Sequence, residues 1–365
     1  MIGRLELENY RGFDNYKLEG LKRVNLLVGR NNCGKTSILE AVLMLVSGGD
    51  RDVLFEIARS RGELEKPLTA SNGIVHLSIP HFFANRKLHF DEFLSIRSDS
   101  LGNLRIAIRE YSQSLKTPES LTSFESPLVA HIVREFPGSE KPSGFTLPLN
   151  REGSTPINVA FYRPSKNGNG KATSVHAQFI ATDSLDSAVM GRLWNEVVRD
   201  GMEGDCVSAL QMLDSRTTSV AFLLQGPSQI EDRSGGILLG MEGSRSRIPL
   251  GSFGEGMRRM LALSLAMATC KDGILLVDEI DTGLHYSVMG KMWKLVIETA
   301  KRLNIQVFAT THSLDCLRSL AGTLERNPEL DSEVSLQKIE RSIDHSVHVE
   351  GEEFQFAVEH DMEVR

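Results

Sequence analysis

Three short stretches of this 365-residue sequence combine residue types and spacings that can do chemistry. Gly29-Arg30-Asn31-Asn32-Cys33-Gly34-Lys35-Thr36, followed by Ser37, fits G-x-x-x-x-G-K-[ST]. Its glycines permit a tight backbone path along which successive N–H groups face an anion. Lys35 can reach the β- and γ-phosphates of a nucleotide, and the Thr36 hydroxyl can bind Mg2+. Far downstream, Ile274-Leu275-Leu276-Val277-Asp278-Glu279 places two carboxylates at the end of an apolar run. Asp278 suits the metal, directly or through water. Glu279 can accept a proton from an attacking water. Third, Thr311-His312-Ser313 offers an imidazole that can donate a hydrogen bond to a γ-phosphate.

Such groups need a rigid frame. Val24-Asn25-Leu26-Leu27-Val28 reads as a buried strand ending at Gly29, and a helix is expected from Lys35 to about Val46. The run before Asp278 reads as a second buried strand and Gln306–Thr310 as a third. Helices are expected over Gly254–Thr269, from Tyr286 to Leu303, and from near His312. Buried strands alternating with helices imply an α/β fold with a mainly parallel sheet. The predicted organisation is a core formed by 1–50 and 240–365, a strand-rich subdomain over 51–182, and a helical lobe over 183–239. Leu185, Val189, Leu193 and Val197 recur every four residues in that lobe.

Gly251-Ser252-Phe253-Gly254-Glu255-Gly256 combines a hydroxyl, flexible glycines and a helix start, about 220 residues from the first loop. One nucleotide seldom needs two helix termini from such distant parts of one subunit. The economical arrangement is a homodimer in which this loop closes on the γ-phosphate held by the other subunit.

Composition narrows the classes. Lys+Arg is 41 and Asp+Glu 48, for a net charge of −7, which excludes a strongly basic nucleic-acid coat. Local basic points remain at Arg86-Lys87 and Lys166–Lys171. No apolar run reaches the roughly 18 residues of a membrane span, and Met1-Ile2-Gly3-Arg4-Leu5-Glu6 carries no secretory apolar segment. The four cysteines are scattered without a CxxC pair, so no zinc ribbon or disulfide framework is expected. The expected compartment is the cytoplasm.

In this order, the motifs resemble an ABC-type ATPase head, a P-loop NTPase fold. The closer likeness is to its soluble branch of RecF, SMC and OLD-like "AAA family" ATPases. Asn9-Tyr10-Arg11-Gly12-Phe13 resembles the N-terminal N-[FY]-R-[GS]-F of that branch, and Asn31–Ser37 its N-N-x-G-K-[ST]-[ST]. Asp278–His285 resembles D-E-[IP]-[DE]-x-x-L-H, and Thr310–Ser313 resembles T-T-H-S. The likeness covers roughly 1–50 and 240–320.

The resemblance implies ATP and Mg2+ as cofactors and ATP hydrolysis as the activity. It implies that Gln178, after a strand-like Ser174–Ala177, senses metal and γ-phosphate, that Asp281 lies at the dimer interface, and that Arg11 approaches the nucleotide. Ser252, Gly254, Glu255 and Gly256 become the signature segment, although Ser-Phe-Gly-Glu-Gly departs from Ser-Gly-Gly-Gln and from transporter subunits. The lobe at 183–213 stands where SMC relatives carry coiled-coil arms, so tethering by arms is not expected. With about 45 residues after the switch helix, the Toprim nuclease of OLD proteins is not expected.

The leading expectation is therefore an ATP-driven switch that closes head to head around two Mg-ATP. It would regulate a separate effector, a nuclease or toxin, in phage defence or stress. The alternative is a RecF-like DNA-binding repair ATPase, which the net charge does not favour. A transporter ATPase is a third class, opposed by the signature and the long middle insert.

Overall fold

The structure, a computed structural model, describes residues 1–65, 74–110, 128–138, 142–158, 175–183, 185–223 and 236–349. Lys166–Lys171 and Ser174 lie outside the described residues. The chain divides into two compact units. The first holds Met1–Leu21, Ile339–His348 and the described residues of Arg30–Ala177. The second holds Lys22–Gly29, Val349 and the described residues of Gln178–Lys338.

The first unit is built on an antiparallel sheet, in order β2-β1-β6-β7-β8-β9. Its strands are β1 (Leu5–Tyr10), β2 (Phe13–Leu18), β6 (Phe93–Ser98), β7 (Gly102–Glu110), β8 (Leu128–Glu135) and β9 (Ser143–Pro148). Leu5, Leu7, Leu94, Ile96, Leu104, Ile106 and Ile132 are buried and alternate with polar residues along their strands. A smaller sheet joins β10 (Ser154–Asn158), β5 (Ile74–Ser78) and β4 (Leu64–Glu65). Two helices complete the unit, α1 (Lys35–Ser47) and α2 (Arg51–Ser60). α1 ends where Gly48 and Gly49 turn left-handed and their N–H groups close on Leu45 and Met44.

The second unit carries the sheet β11-β15-β16-β3-β17-β18. These strands are β11 (Ala177–Ile180), β15 (Ile274–Val277), β16 (Gln306–Thr310), β3 (Val24–Val28), β17 (Val334–Lys338) and β18 (Val347–Val349). β15, β16, β3 and β17 run parallel. β3, β15 and β16 are buried along their whole length, which explains their unbroken apolar sequences. α3 (Ser187–Arg199), α4 (Glu203–Gln211), α5 (Glu255–Thr269), α6 (Tyr286–Arg302) and α7 (Leu314–Arg326) surround it, with a small sheet of β12 (Thr217–Phe222), β13 (Ile237–Met241) and β14 (Ile248–Pro249). Among the described residues no helix is long and apolar enough to cross a membrane.

An α/β fold with a mainly parallel sheet, a strand-rich part and a helical part is what the pattern predicts. The boundaries differ from those expected. The N-terminal strands and α1 group with the middle segment, because β1 pairs with β6 nearly ninety residues on (Leu7↔Ile96). The helical stretch is two helices, broken where Gly201 turns left-handed.

Candidate functional site

β3 of the second unit is followed in the chain by the loop that starts at Gly29 and leads into α1, and from Arg30 onward that loop belongs to the first unit. Asn32 and Gly34 both have positive φ, +62° and +105°. Gly34 caps α1, and a Cβ there would run into the Phe13 ring, so only glycine fits. Lys35 begins the helix, and its ammonium donates to the Arg30 carbonyl at 3.0 Å, with Cys33 Sγ 3.9 Å away. Arg30, Asn31 and Asn32 are exposed, and Cys33 is 8 % exposed. Ser37 Oγ accepts from Arg61 Nη2 at 3.1 Å.

Arg11, expected near nucleotide, sits in a buried ion network. Its Nη1 and Nη2 donate to the two Glu63 oxygens at 2.8 and 3.1 Å, and its Nε lies 3.2 Å from Glu40 Oε2. Arg61 Nε donates to the other Glu40 oxygen at 2.6 Å. Glu40 projects from α1, so this network ties the β1–β2 turn and the end of α2 to the helix that carries Lys35 and Thr36. Burial pushes the Glu40 carboxyl up despite the attraction of Arg11 and Arg61.

In the second unit, Asp278 and Glu279 follow β15 directly. The two neighbours of β15 in the sheet, β11 and β16, supply a threonine each. Thr310 Oγ1 donates to Asp278 Oδ1 at 2.7 Å, and Thr182 Oγ1 donates to Oδ2 at 3.2 Å. Both carboxylate oxygens are thus held in a fixed plane. Glu279 adopts φ +47°, a left-handed conformation that costs a non-glycine residue on the order of 1–3 kcal/mol. Surrounding bonds hold it there. Its N–H donates to Thr310 Oγ1 at 2.8 Å, and its carbonyl accepts from Arg259 Nη2 at 2.9 Å. The turn brings Glu279 Oε1 to 3.3 Å from His312 Nδ1, with both side chains partly exposed.

Arg259 lies on α5 and is 1 % exposed. Its guanidinium also donates to the carbonyls of Asp278, at 2.6 Å, and Ala181, at 2.7 Å. Burial lowers its pKa, against the opposing pull of Asp278 and Asp281. Asp281 accepts from Thr311 Oγ1 at 2.6 Å, so two consecutive threonines each hold one acid of the strand-end turn.

Ser252 is exposed in a 3-10 turn, Leu250–Phe253. Gly254, at φ +83°, caps α5, and Glu255 is the first helical residue. Gly256 packs on the turn after Asp281, where a Cβ would stand 2.8 Å from the Gly283 carbonyl. A cavity of about 280 Å3 lies beside this loop, lined in part by Gly251, Gly254, Glu255 and Arg258.

One placement differs from expectation. Gln178 lies within β11 rather than after a strand, two residues before Ile180, whose carbonyl accepts from the Asp278 N–H. The residue of this segment that bonds Asp278 is Thr182. Sequence reading passed over Thr182, Thr310 and Arg259. The doubled threonine before His312 and the doubled arginine in α5 were the available signals.

A G-x-x-x-x-G-K-[ST] loop that opens a helix and an acid pair at the end of a buried parallel strand mark a P-loop NTPase. Residues 1–154 and 202–317 match the AAA ATPase domain family, and the chain belongs to that family. It is an ATPase of this class, which bears out the family resemblance of its motifs. A protein named "ATP/GTP phosphatase" from Helicobacter pylori is 21 % identical over 345 residues, covering 88 % of this chain and 87 % of that protein. Among solved structures, an Smc head bound to the C-winged helix domain of ScpA covers 96 % of this chain and 97 % of that chain, at 13 % identity and a TM-score of 0.49. The SMC head domain from Thermotoga maritima covers 96 % and 98 %, at 15 % identity and a TM-score of 0.42.

Proposed function

We propose that this ATPase works as a switch: ATP bound at Gly29–Ser37 is hydrolysed by Glu279, and two heads close around two nucleotides. The observation that carries the reading is the fixed Asp278–Glu279–His312 constellation, with Glu279 turned by its positive φ toward the imidazole. Hydrolysis adds water to the γ-phosphorus as the bond to the β,γ-bridging oxygen breaks, giving ADP and phosphate. Glu279 accepts the proton that the water loses, and His312, 3.3 Å away, orients that carboxylate and donates toward the γ-phosphate. Lys35 counters charge on the β- and γ-phosphates.

Thr36 and Asp278 are hard oxygen donors of the kind Mg2+ takes. Mg2+ held by them would neutralise phosphate charge during the transfer. Ser252, Gly254, Glu255 and Gly256 of one subunit face the γ-phosphate of the other. Asp281 lies at that interface, and its tie to Thr311 links closure to the strand that bears His312.

The partner is a separate effector, a nuclease or toxin of a stress or phage-defence pair. It docks on surfaces not needed for nucleotide, such as the antiparallel sheet or α3–α4. Purification on tagged protein in ATP and in ADP tests this: an effector should come down in a nucleotide-dependent manner, and recovery of none in either state refutes it.

Assembly has its own test. Light scattering of Glu279→Gln with ATP should show twice the monomer mass, and Ser252→Arg in the same background should remain monomeric. A dimer indifferent to Ser252→Arg refutes the sandwich.

A further inference from the structure

We propose that Thr310 is a positioning residue that sets the metal carboxylate and the base in one step. The inference rests on the roles given above to Asp278 and Glu279. Thr310 is the last residue of β16 and fully buried, in register with Leu27 of β3. Its single hydroxyl serves two neighbours on the adjacent strand end. It accepts from the Glu279 N–H at 2.8 Å and donates to Asp278 Oδ1 at 2.7 Å.

These two bonds constrain each other. Because the amide N–H points at Oγ1, the hydroxyl proton must point elsewhere, and Asp278 is the acceptor that it meets. One hydroxyl therefore fixes the carboxylate plane of Asp278 and the peptide of Glu279 together. That residue is the strained one, at φ +47°, and its carbonyl is held by Arg259 and by the Thr282 N–H. Removing the hydroxyl takes from Asp278 the shorter of its two threonine bonds, that from Thr182 being 3.2 Å, and frees the N–H that keeps Glu279 left-handed. Metal affinity and base placement should then fail in concert, while the phosphate loop is untouched. A hydroxyl with a merely structural role would affect folding without coupling these two properties.

The test uses the full chain with Thr310→Val, which keeps the shape, and Thr310→Ser, which keeps the hydroxyl. Mn2+ serves as the metal probe, titrated by electron paramagnetic resonance into protein with a non-hydrolysable ATP analogue. Thr310→Val should weaken Mn2+ binding and lower kcat, each by roughly 10- to 100-fold, the range for loss of a partner that orients a metal ligand. Nucleotide affinity in EDTA should stay within about twofold, and Thr310→Ser should recover most of both losses.

If Thr310→Val leaves Mn2+ affinity and kcat unchanged, or if Thr310→Ser is as impaired as Thr310→Val, the proposal is wrong. Should Thr310→Val not fold, Thr310→Ala against Thr310→Ser gives the same comparison. Asp278→Asn separates the two levels: no loss of Mn2+ binding there overturns the metal role of Asp278 itself. A loss there without one in Thr310→Val overturns only the role of Thr310.

Discussion

Replacing Arg259 by methionine removes the guanidinium that fastens the strand-end turn while keeping a side chain of similar reach. Three part-buried carbonyls, those of Ala181, Asp278 and Glu279, lose this donor, and that of Glu279 keeps the Thr282 N–H at 3.0 Å. A buried acceptor left without a partner costs about 1–3 kcal/mol, so loss of the bonds to the other two costs at most about 2–6 kcal/mol. Against this, the folded protein no longer carries a desolvated cation, a relief of several kcal/mol. The lowered pKa of Arg259 has the same cause. The net destabilisation should be about 1–3 kcal/mol, which at 2–4 °C per kcal/mol corresponds to a fall in Tm of about 2–12 °C. The second consequence is catalytic. Glu279 loses one of the three backbone bonds that hold its left-handed turn, so kcat should fall at 25 °C, where the variant is still folded. Differential scanning calorimetry and steady-state phosphate release measure the two effects. A variant that melts no lower than the parent and turns over normally would refute the reasoning.

The cysteines should differ in reactivity. Burial pushes the thiols of Cys206 and Cys270 up to about 11 and 12, and that of Cys316 higher still, so these three should resist alkylation. Alkylation of Cys33, inside the phosphate loop, should block ATPase activity. ATP should protect against it, and inhibition surviving in Cys33→Ser would disprove the assignment. A pH effect is expected at Glu333, which burial pushes up but hydrogen bonds from Lys301 and Arg23 hold below the usual carboxylate range overall. A lowered carboxyl pKa adds stability above the unfolded value near 4.5, and this is lost as pH falls through the folded value. Glu333→Gln should therefore melt lower than the parent at pH 7 by about 1 kcal/mol of stability, with the gap narrowing as pH falls toward 3. An equal gap at both pH values would contradict the ion-pair origin.

What could be read from the sequence was local. The loop Gly29–Thr36 has a fixed spacing, and its helix α1 begins at Lys35 as the pattern requires. β16 runs from Gln306 to Thr310, the span of its apolar run. The remaining contacts depend on chain segments brought together by sheet order. Thr182 reaches Asp278 across 96 residues because β11 and β15 are neighbours, and Arg259 reaches Ala181 across 78. Nothing in Asn9–Phe13 reveals that Arg11 meets Glu40 and Glu63. Nor does an apolar residue every fourth position betray the break at Gly201, where a single glycine φ of +68° divides the helices.

The central claim, that Glu279 is the base of an ATPase whose nucleotide is held by the phosphate loop, is tested most directly by single-turnover hydrolysis of pre-bound ATP. The comparison is between the parent, Glu279→Gln and Lys35→Ala. An amide cannot accept the water's proton, so Glu279→Gln should bind ATP as tightly as the parent and cleave it at least about 100-fold more slowly. Lys35→Ala should bind ATP weakly or not at all. Cleavage by Glu279→Gln at the parental rate would contradict the account.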